Sequence, residues 1–287
     1  MSRFRIALAQ AKSDVGAEDY DPRDANLARA LLLIERAAKE KAGLVMFGEM
    51  YLSGYRTDEY LHKYATVIDP PDAHVQKLME RAKALDIYIV MGAATFGGSI
   101  PGDIYNSALV IGPEGYIGTY RKTHVAAFPY SMGVSKERCF YSPGQELPVF
   151  DTRIGRLGIH ICYDMSFPEV ARVQTLKGAD ILLNVSASAA GFEEFWVHGL
   201  FMRAVENVTW YVVCSVVGEQ RGDVLFGGSR VVAPTGQVVA EGKSHEEDFI
   251  VAEIDTALSR SARSTSHTFN TRNPALYSVI TNPTPYP

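Results

Sequence analysis

Apolar residues along this chain fall into short runs with two alternating spacings, and that alternation predicts the elements. Arg5 to Gln10 reads as a strand. Ala25 to Ala42 carries apolar side chains at helical spacing and stops at Gly43, and Leu44 to Phe47 is a short buried strand. A helix from about His74 to Leu85, a strand from Tyr88 to Ala93 and a hairpin from Tyr105 to Tyr120, turning at Pro113-Glu-Gly115, complete a first half. The second half repeats the order: strand Arg156 to Ile161, helix Phe167 to Lys177 ending at Gly178, strand Ile181 to Val185, helix Glu194 to Asn207, strand Trp210 to Ser215. A second hairpin follows, and its sequence VVAPTGQVVAEGKSH (Val231 to His245) aligns without a gap with VIGPEGYIGTYRKTH (Val110 to His124). A β-α-β-α-β-hairpin unit used twice predicts an α/β fold of two pseudo-symmetric halves, their sheets face to face and helices outside. This is a four-layer αββα sandwich, expected as one domain over residues 1–287 with an extended tail from about residue 270.

Composition narrows the function. A net charge of −5 and a pI near 5.8, with no basic cluster, argue against a nucleic-acid partner. The longest apolar stretch, Val208 to Gly218, is about half of what a membrane span requires. Cys139, Cys162 and Cys214 are widely spaced and odd in number, which suits a reducing, cytoplasmic setting, and MSRFRIALAQ has charges where a signal peptide has its apolar core. The glycosylation patterns at Asn184-Val-Ser and Asn207-Val-Thr are read as chance matches. Seven scattered histidines lack metal-binding spacing, so no metal or cofactor is expected; His160 and His198 are read as core or hydrogen-bonded residues. Gly236 to Ser244 misses a phosphate-binding loop by one residue, with no helix after it, and no Gly-x-Ser-x-Gly elbow occurs.

Three residues stand where core strands or hairpins end. Cys162, in GIHICYDMSFPE, follows an apolar strand and precedes a helix start, where amide groups and a dipole end favour thiolate over thiol. Glu49, in MFGEMYLSGY, follows a short buried strand, where burial raises a carboxyl pKa toward neutrality and suits a general base. Lys122, in TYRKTH, ends the first hairpin and is placed to hold an anion. Its counterpart Lys243 leads into the acidic run His245-Glu-Glu-Asp248 and reads as a surface residue. Nucleophile, base and cation are the requirements of amide hydrolysis through a thioester. The Arg203, Glu206 and Asn207 cluster reads as a structural pair and cap.

These residues in their settings resemble the Glu-Lys-Cys triad of the nitrilase, or carbon-nitrogen hydrolase, superfamily. RIALAQ, ERCFYSPGQELPVFD and WVHGLFMRAVENVTWYVV extend the resemblance over nearly the whole chain. It implies the αββα sandwich, usually assembled as a homo-oligomer. It also implies Glu49 as proton carrier, Cys162 as nucleophile, and an oxyanion held between Lys122 and the Tyr163 backbone N–H. A second glutamate that positions substrate and lysine corresponds to Glu137 rather than Glu146. Two departures, Gly48 where many members have Pro and Asn184-Val-Ser-Ala-Ser188 after the next strand, are expected to leave the triad untouched and to reshape the acyl pocket.

Tyr163-Asp164 with Phe167-Pro168-Glu169 resembles the amidase branches, so a small-molecule amide is the expected substrate. Tyr55, Phe128, Tyr130, Ser188, Phe192 and Trp196 are the expected pocket residues. With Phe140, Tyr141 and Phe195 they suggest an uncharged or apolar acyl group. The alternatives are N-carbamoyl hydrolysis and ω-amide hydrolysis; the latter needs a cation, for which Arg138 or Arg172 is available. A non-catalytic scaffold is the distant alternative.

Overall fold

The computed structural model describes residues 3–97, 102–126, 129–130, 133–134, 136–220 and 222–282. In the first half, β1 (Arg3–Gln10), α1 (Arg23–Lys39), β2 (Ala42–Phe47), the short α2 (Leu61–Tyr64), α3 (Ala73–Leu85) and β3 (Tyr88–Phe96) lead into the hairpin β4 (Ile104–Gly112) and β5 (Gly115–Arg121). A two-residue ribbon, β6 (Pro129–Tyr130) with β7 (Gly133–Val134), lies between the halves. The second half runs β8 (Val149–Thr152), β9 (Gly155–Ile161), α4 (Pro168–Leu176), β10 (Ile181–Ser186), α5 (Glu193–Asn207) and β11 (Trp210–Ser215). After a β12–β13 ribbon (Val217–Gln220, Asp223–Phe226) comes the hairpin β14 (Arg230–Val232) and β15 (Val238–Glu241), then β16 (Asp248–Asp255), α6 (Thr256–Thr265) and α7 (Ser278–Thr281).

Two six-stranded sheets result, ordered β16-β1-β2-β3-β4-β5 and β15-β14-β11-β10-β9-β8. Each has three parallel strands at its centre, antiparallel neighbours on both sides, and its hairpin at one edge. One apolar cluster fills the space between them, drawing Ile6, Leu8, Met46 and Val90 from the first sheet and Ile159, Leu183, Val212 and Cys214 from the second. A second packs α1 and α3 on the outside of the first sheet, and a third packs α4 and α5 on the second. Four layers follow because both faces of each sheet are apolar.

The repeat extends to irregularities. The first hairpin shifts register between Val110 and Ile111, the second between Val231 and Val232, which are the aligned positions. The turn glycines Gly115 and Gly236 both take positive φ, +114° and +87°, a region that disfavours other residues.

Three features depart from the sequence reading. The second sheet gains β8 and the first gains β16, so a strand from the end of the second half completes the sheet of the first. The tail expected to be extended contains a 3-10 turn (Pro274–Leu276) and α7; residues 283–287 lie outside the described ones. Of the two settings expected for His198, core or hydrogen-bonded, it takes the second, pairing with Glu194 at 3.3 Å on the surface of α5. No helix among the described residues is long and apolar enough to cross a membrane.

Candidate active site

The first sheet contributes a buried ionic cluster. Glu49 follows β2, Lys122 follows β5, and Glu137 sits in a 3-10 turn (Glu137–Cys139); all three are within 1% of full burial. Lys122 Nζ donates to Glu49 Oε1 at 2.9 Å and to both oxygens of Glu137 at 2.8 Å. Asn106 Nδ2, from β4, donates to Glu49 Oε1 and to Glu137 Oε1, each at 2.7 Å, and the Ala126 N–H donates to Glu137 Oε2 at 2.7 Å. Glu146, the competing glutamate, is exposed. Glu49 Oε2 is buried and has no hydrogen-bond partner among the described residues.

One cation among two carboxylates leaves a net negative charge in a dry place. Burial, and then the Glu137 carboxylate, push the Glu49 carboxyl above the usual range, although Lys122 pulls the other way. Burial works against the Lys122 charge too, but Glu137 and Glu49 outweigh it and hold the ammonium well above the ordinary lysine range. A carboxyl whose proton affinity is raised, beside a permanent cation, can move protons next to a stabilised anion.

The second sheet contributes Cys162. It stands one residue past β9 with φ +43°, and Met50, one residue past Glu49, has φ +56°. Backbone held in this region costs on the order of 1–3 kcal/mol and is found where surrounding structure imposes it. Here Asn184, in β10, accepts from the Cys162 N–H at 3.1 Å. Asp164 fixes the other side: its carboxylate accepts from Tyr120 Oη (2.7 Å), Thr123 Oγ1 (2.9 Å), the His124 N–H (3.0 Å) and the Ile161 N–H (3.0 Å), with His124 Nδ1 at 2.9 Å. The segment carrying Lys122 is thereby tied to the turn carrying Cys162. These bonds and Lys122 overcome the burial that opposes its charge and hold Asp164 below the usual carboxylate range.

At Cys162 the direction runs against the expected thiolate. Burial, and then the Glu49 charge, push the thiol far above its ordinary value, against the opposing influence of Lys122 and a hydrogen bond from Ser186. No α-helix starts there either: a 3-10 turn (Cys162–Ser166) intervenes, and α4 begins only at Pro168. The resting group is a thiol that needs a base.

Tyr55 is brought to the cluster, where burial and then the charges of Glu137 and Glu49 raise its phenol well above the usual range. Ser188 is buried, with Oγ 2.9 Å from Ser186 Oγ, and Phe192 is half-buried against the α4–α5 cluster that Cys162 also touches. Trp196 is buried in that same cluster. Tyr141 packs in a fourth cluster with Phe140 against it, and Phe195 is 52% exposed. Phe128 and the Tyr130 side chain lie outside the described residues. Tyr163 follows Cys162 directly, its ring edge-on to Phe167.

Asn106, Asn184 and Ser186 were missed. Each is a polar residue inside an otherwise apolar strand, and that interruption was the available signal. The two departures also bear on the triad. A Cβ at Gly48 would sit 2.4 Å from Val216 N and 2.8 Å from Ser186 O, so glycine lets the end of β2 close on the second sheet. There the Glu49 N–H donates to Ser186 O at 2.9 Å.

Residues 5–264 match the family model described as carbon-nitrogen hydrolase. A protein named nitrilase from Pyrococcus abyssi is 35% identical over 84% of this chain and 87% of its own length. Human omega-amidase NIT2 is 32% identical over 97% and 98% of the two chains. The crystal structure of Saccharomyces cerevisiae Nit3, of the nitrilase superfamily, superposes with a TM-score of 0.80 at 31% identity, covering 92% of this chain and 94% of that one.

Proposed function

The chain belongs to the carbon-nitrogen hydrolase family, acting on non-peptide C–N bonds, and from that premise we propose that it is a cysteine-dependent amidase cleaving a primary amide to acid and ammonia. The observation that carries this reading is Glu49 Oε2, a buried carboxylate oxygen with no donor among the described residues, on the glutamate whose charge acts on the Cys162 thiol.

Glu49 Oε2 takes the thiol proton as the sulfur forms its bond to the amide carbon, and the carbonyl π pair moves onto oxygen. Lys122 Nζ and the Tyr163 backbone N–H receive that oxyanion; losing one such donor typically costs roughly 2.7–4 kcal/mol in barrier. When the C–N bond breaks, the nitrogen takes the proton from Glu49 and leaves as ammonia. Water then adds to the thioester and gives a proton to Glu49. The C–S bond breaks, and Glu49 returns the proton to sulfur. Glu137 keeps the ammonium oriented through two 2.8 Å contacts.

For the acyl group, the relatives favour the ω-amide of a short dicarboxylate over an apolar amide, since the human and yeast proteins at 32% and 35% identity are named omega-amidases. Phe195, exposed on α5, does not support an apolar pocket. Arg172 is engaged, donating to Glu206 O at 2.6 Å and lying over Phe269. Arg138, exposed beside Glu137, is the guanidinium left to meet an acyl carboxylate. The test is ammonia release from dicarboxylate monoamides, simple aliphatic amides, N-carbamoyl amino acids and nitriles, with Cys162→Ala alongside. Release that favours monoamides and vanishes in the variant supports the reading. Preference for aliphatic amides would return the acyl group to the apolar class, and carbon dioxide released with ammonia would make the enzyme a carbamoylase.

A further inference from the structure

Side chains of a strand alternate between its faces, so Asn106 in β4 lies on the side of Ala108 and Val110, which fill the space between the two sheets. It is a polar residue in that apolar row, and it is 1% exposed. Its backbone is held from both sides, by the register with Ala94 in β3 and by the Lys122 N–H, which donates to the Asn106 carbonyl at 2.8 Å. Asn106 Oδ1 has no partner among the described residues. A buried acceptor left unpaired costs stability, so what this side chain contributes lies in its two N–H groups.

A carboxylate offers about four lone-pair sites, two on each oxygen. Glu137 fills them: Oε1 accepts from Lys122 Nζ at 2.8 Å and Asn106 Nδ2 at 2.7 Å, and Oε2 from Lys122 Nζ at 2.8 Å and the Ala126 N–H at 2.7 Å. Glu49 is served on Oε1 alone, by Lys122 Nζ at 2.9 Å and Asn106 Nδ2 at 2.7 Å. The ammonium thus spends its N–H groups on the two glutamates, and none is left for an oxyanion. Glu49 Oε1 and Glu137 Oε1 each have one donor from Lys122 and one from Asn106. When Lys122 turns an N–H away from either oxygen, the bond from Asn106 stays; without Asn106 the same turn would leave that oxygen bare.

We infer that Asn106 is a positioning residue of the amide hydrolysis: its two N–H groups hold Glu49 Oε1 and Glu137 Oε1 while Lys122 turns an N–H to the oxyanion, and they leave Glu49 Oε2 free to take the thiol proton. Asn106 itself neither gains nor loses a proton. This rests on the reading of Cys162 as nucleophile and Glu49 as its base. The ionisable groups that act on Glu49 are Lys122 after β5, Glu137 in its 3-10 turn, Cys162 after β9, and Tyr55 and Tyr141; a variant at Asn106 removes none of them. A donated hydrogen bond favours the charged carboxylate, so losing it raises the pH at which Glu49 gives up its proton.

The experiment follows kcat and KM for ammonia release against pH on the full chain, using the amide that the wild type turns over fastest in the panel above, with thermal melting to check folding. In Asn106→Ala the acid limb of the kcat/KM profile, which reports the free enzyme, is expected to move up by about one to two pH units, the worth of one hydrogen bond to a charged group. At the plateau kcat should fall about tenfold, with KM within about twofold of wild type. Asn106→Asp keeps the shape, removes both donors and adds a carboxyl, and is expected to move the limb further the same way. Lost packing alone would lower the melting temperature and leave the limb in place, so an Asn106→Ala protein with the wild-type limb overturns the proposal. Should that variant not fold, Asn106→Asp decides by the same criterion. Ammonia release that survives Cys162→Ala, or no release from any amide by the wild type, would instead overturn the amidase reading and this proposal with it.

Discussion

Lys122 and Lys243 end the same hairpin in the two halves, after the same bulge and the same turn glycine, yet one is 1% and the other 67% exposed. Lys243 Nζ pairs with Glu246 at 3.5 Å. Beside its backbone lies a neutral amide from the end of β1: Gln10 donates to the carbonyls of Lys243 and Glu246 and accepts from the Ser229 N–H at 2.9 Å. Among the described residues Gln10 leaves no polar side-chain atom unpartnered, whereas Glu49 leaves one. Duplicating a fold copies the place for a site, and chemistry arises where the buried polar groups stop short of satisfying one another.

The sharpest way to break this comparison is to remove the reacting atom. Cys162→Ala is expected to lower amide turnover by about 10⁴-fold or more while the melting temperature stays near wild type. Lys122→Ala comes next: it strands two buried carboxylates and is expected to cost about 3–5 kcal/mol in urea unfolding, with turnover reduced at least about 10²-fold. The matching Lys243→Ala should fall within about 0.5 kcal/mol of wild type with full activity; an equal loss at both lysines would refute the asymmetry. Gln10→Ala sharpens the contrast from the other side, because it unpairs three backbone groups. About 1–3 kcal/mol of stability should be lost with kcat/KM for the amide retained.

The smallest effect concerns acid stability. His160, buried in β9 with Nδ1 2.9 Å from Tyr211 Oη, has its pKa lowered to about 4, first by burial. In the unfolded chain it titrates near 6.5. Between these values the unfolded state binds the extra proton, so stability falls as pH drops from 6.5 toward 4. Asp164 adds a second loss at lower pH, since a depressed carboxyl contributes above its unfolded value, about 3.9, and stops contributing as pH falls through its folded value. His160→Gln should flatten the upper part of a plot of melting temperature against pH and leave the lower part in place.

The halves, the hairpins and the three residues at the strand ends were readable because each rests on local spacing. Other features depend on what the chain meets far away. β16 was hidden behind the acidic run from His245, and its alternating burial acquires meaning only through pairing with β1. Phe195 and Trp196 were assigned to one pocket, but neighbours on a helix point about 100° apart, and α5 buries one while exposing the other. The thiol state of Cys162 was misread because the strand-end pattern suggests a helix dipole, whereas the outcome is set by burial and by a glutamate more than a hundred residues earlier.

The β1–β16 pairing also has a consequence for synthesis. Ala9 finds its partner only when Phe249 has been made, a delay on the order of 10 to 50 s at roughly 5–20 residues per second. Until then the nascent first half carries β1 as an open, apolar edge, a template for pairing with other chains. A ribosome stalled in the second hairpin would therefore hold a product with Glu49, Lys122 and Cys162 all translated and its first sheet unsealed, a client for chaperones rather than a shortened enzyme.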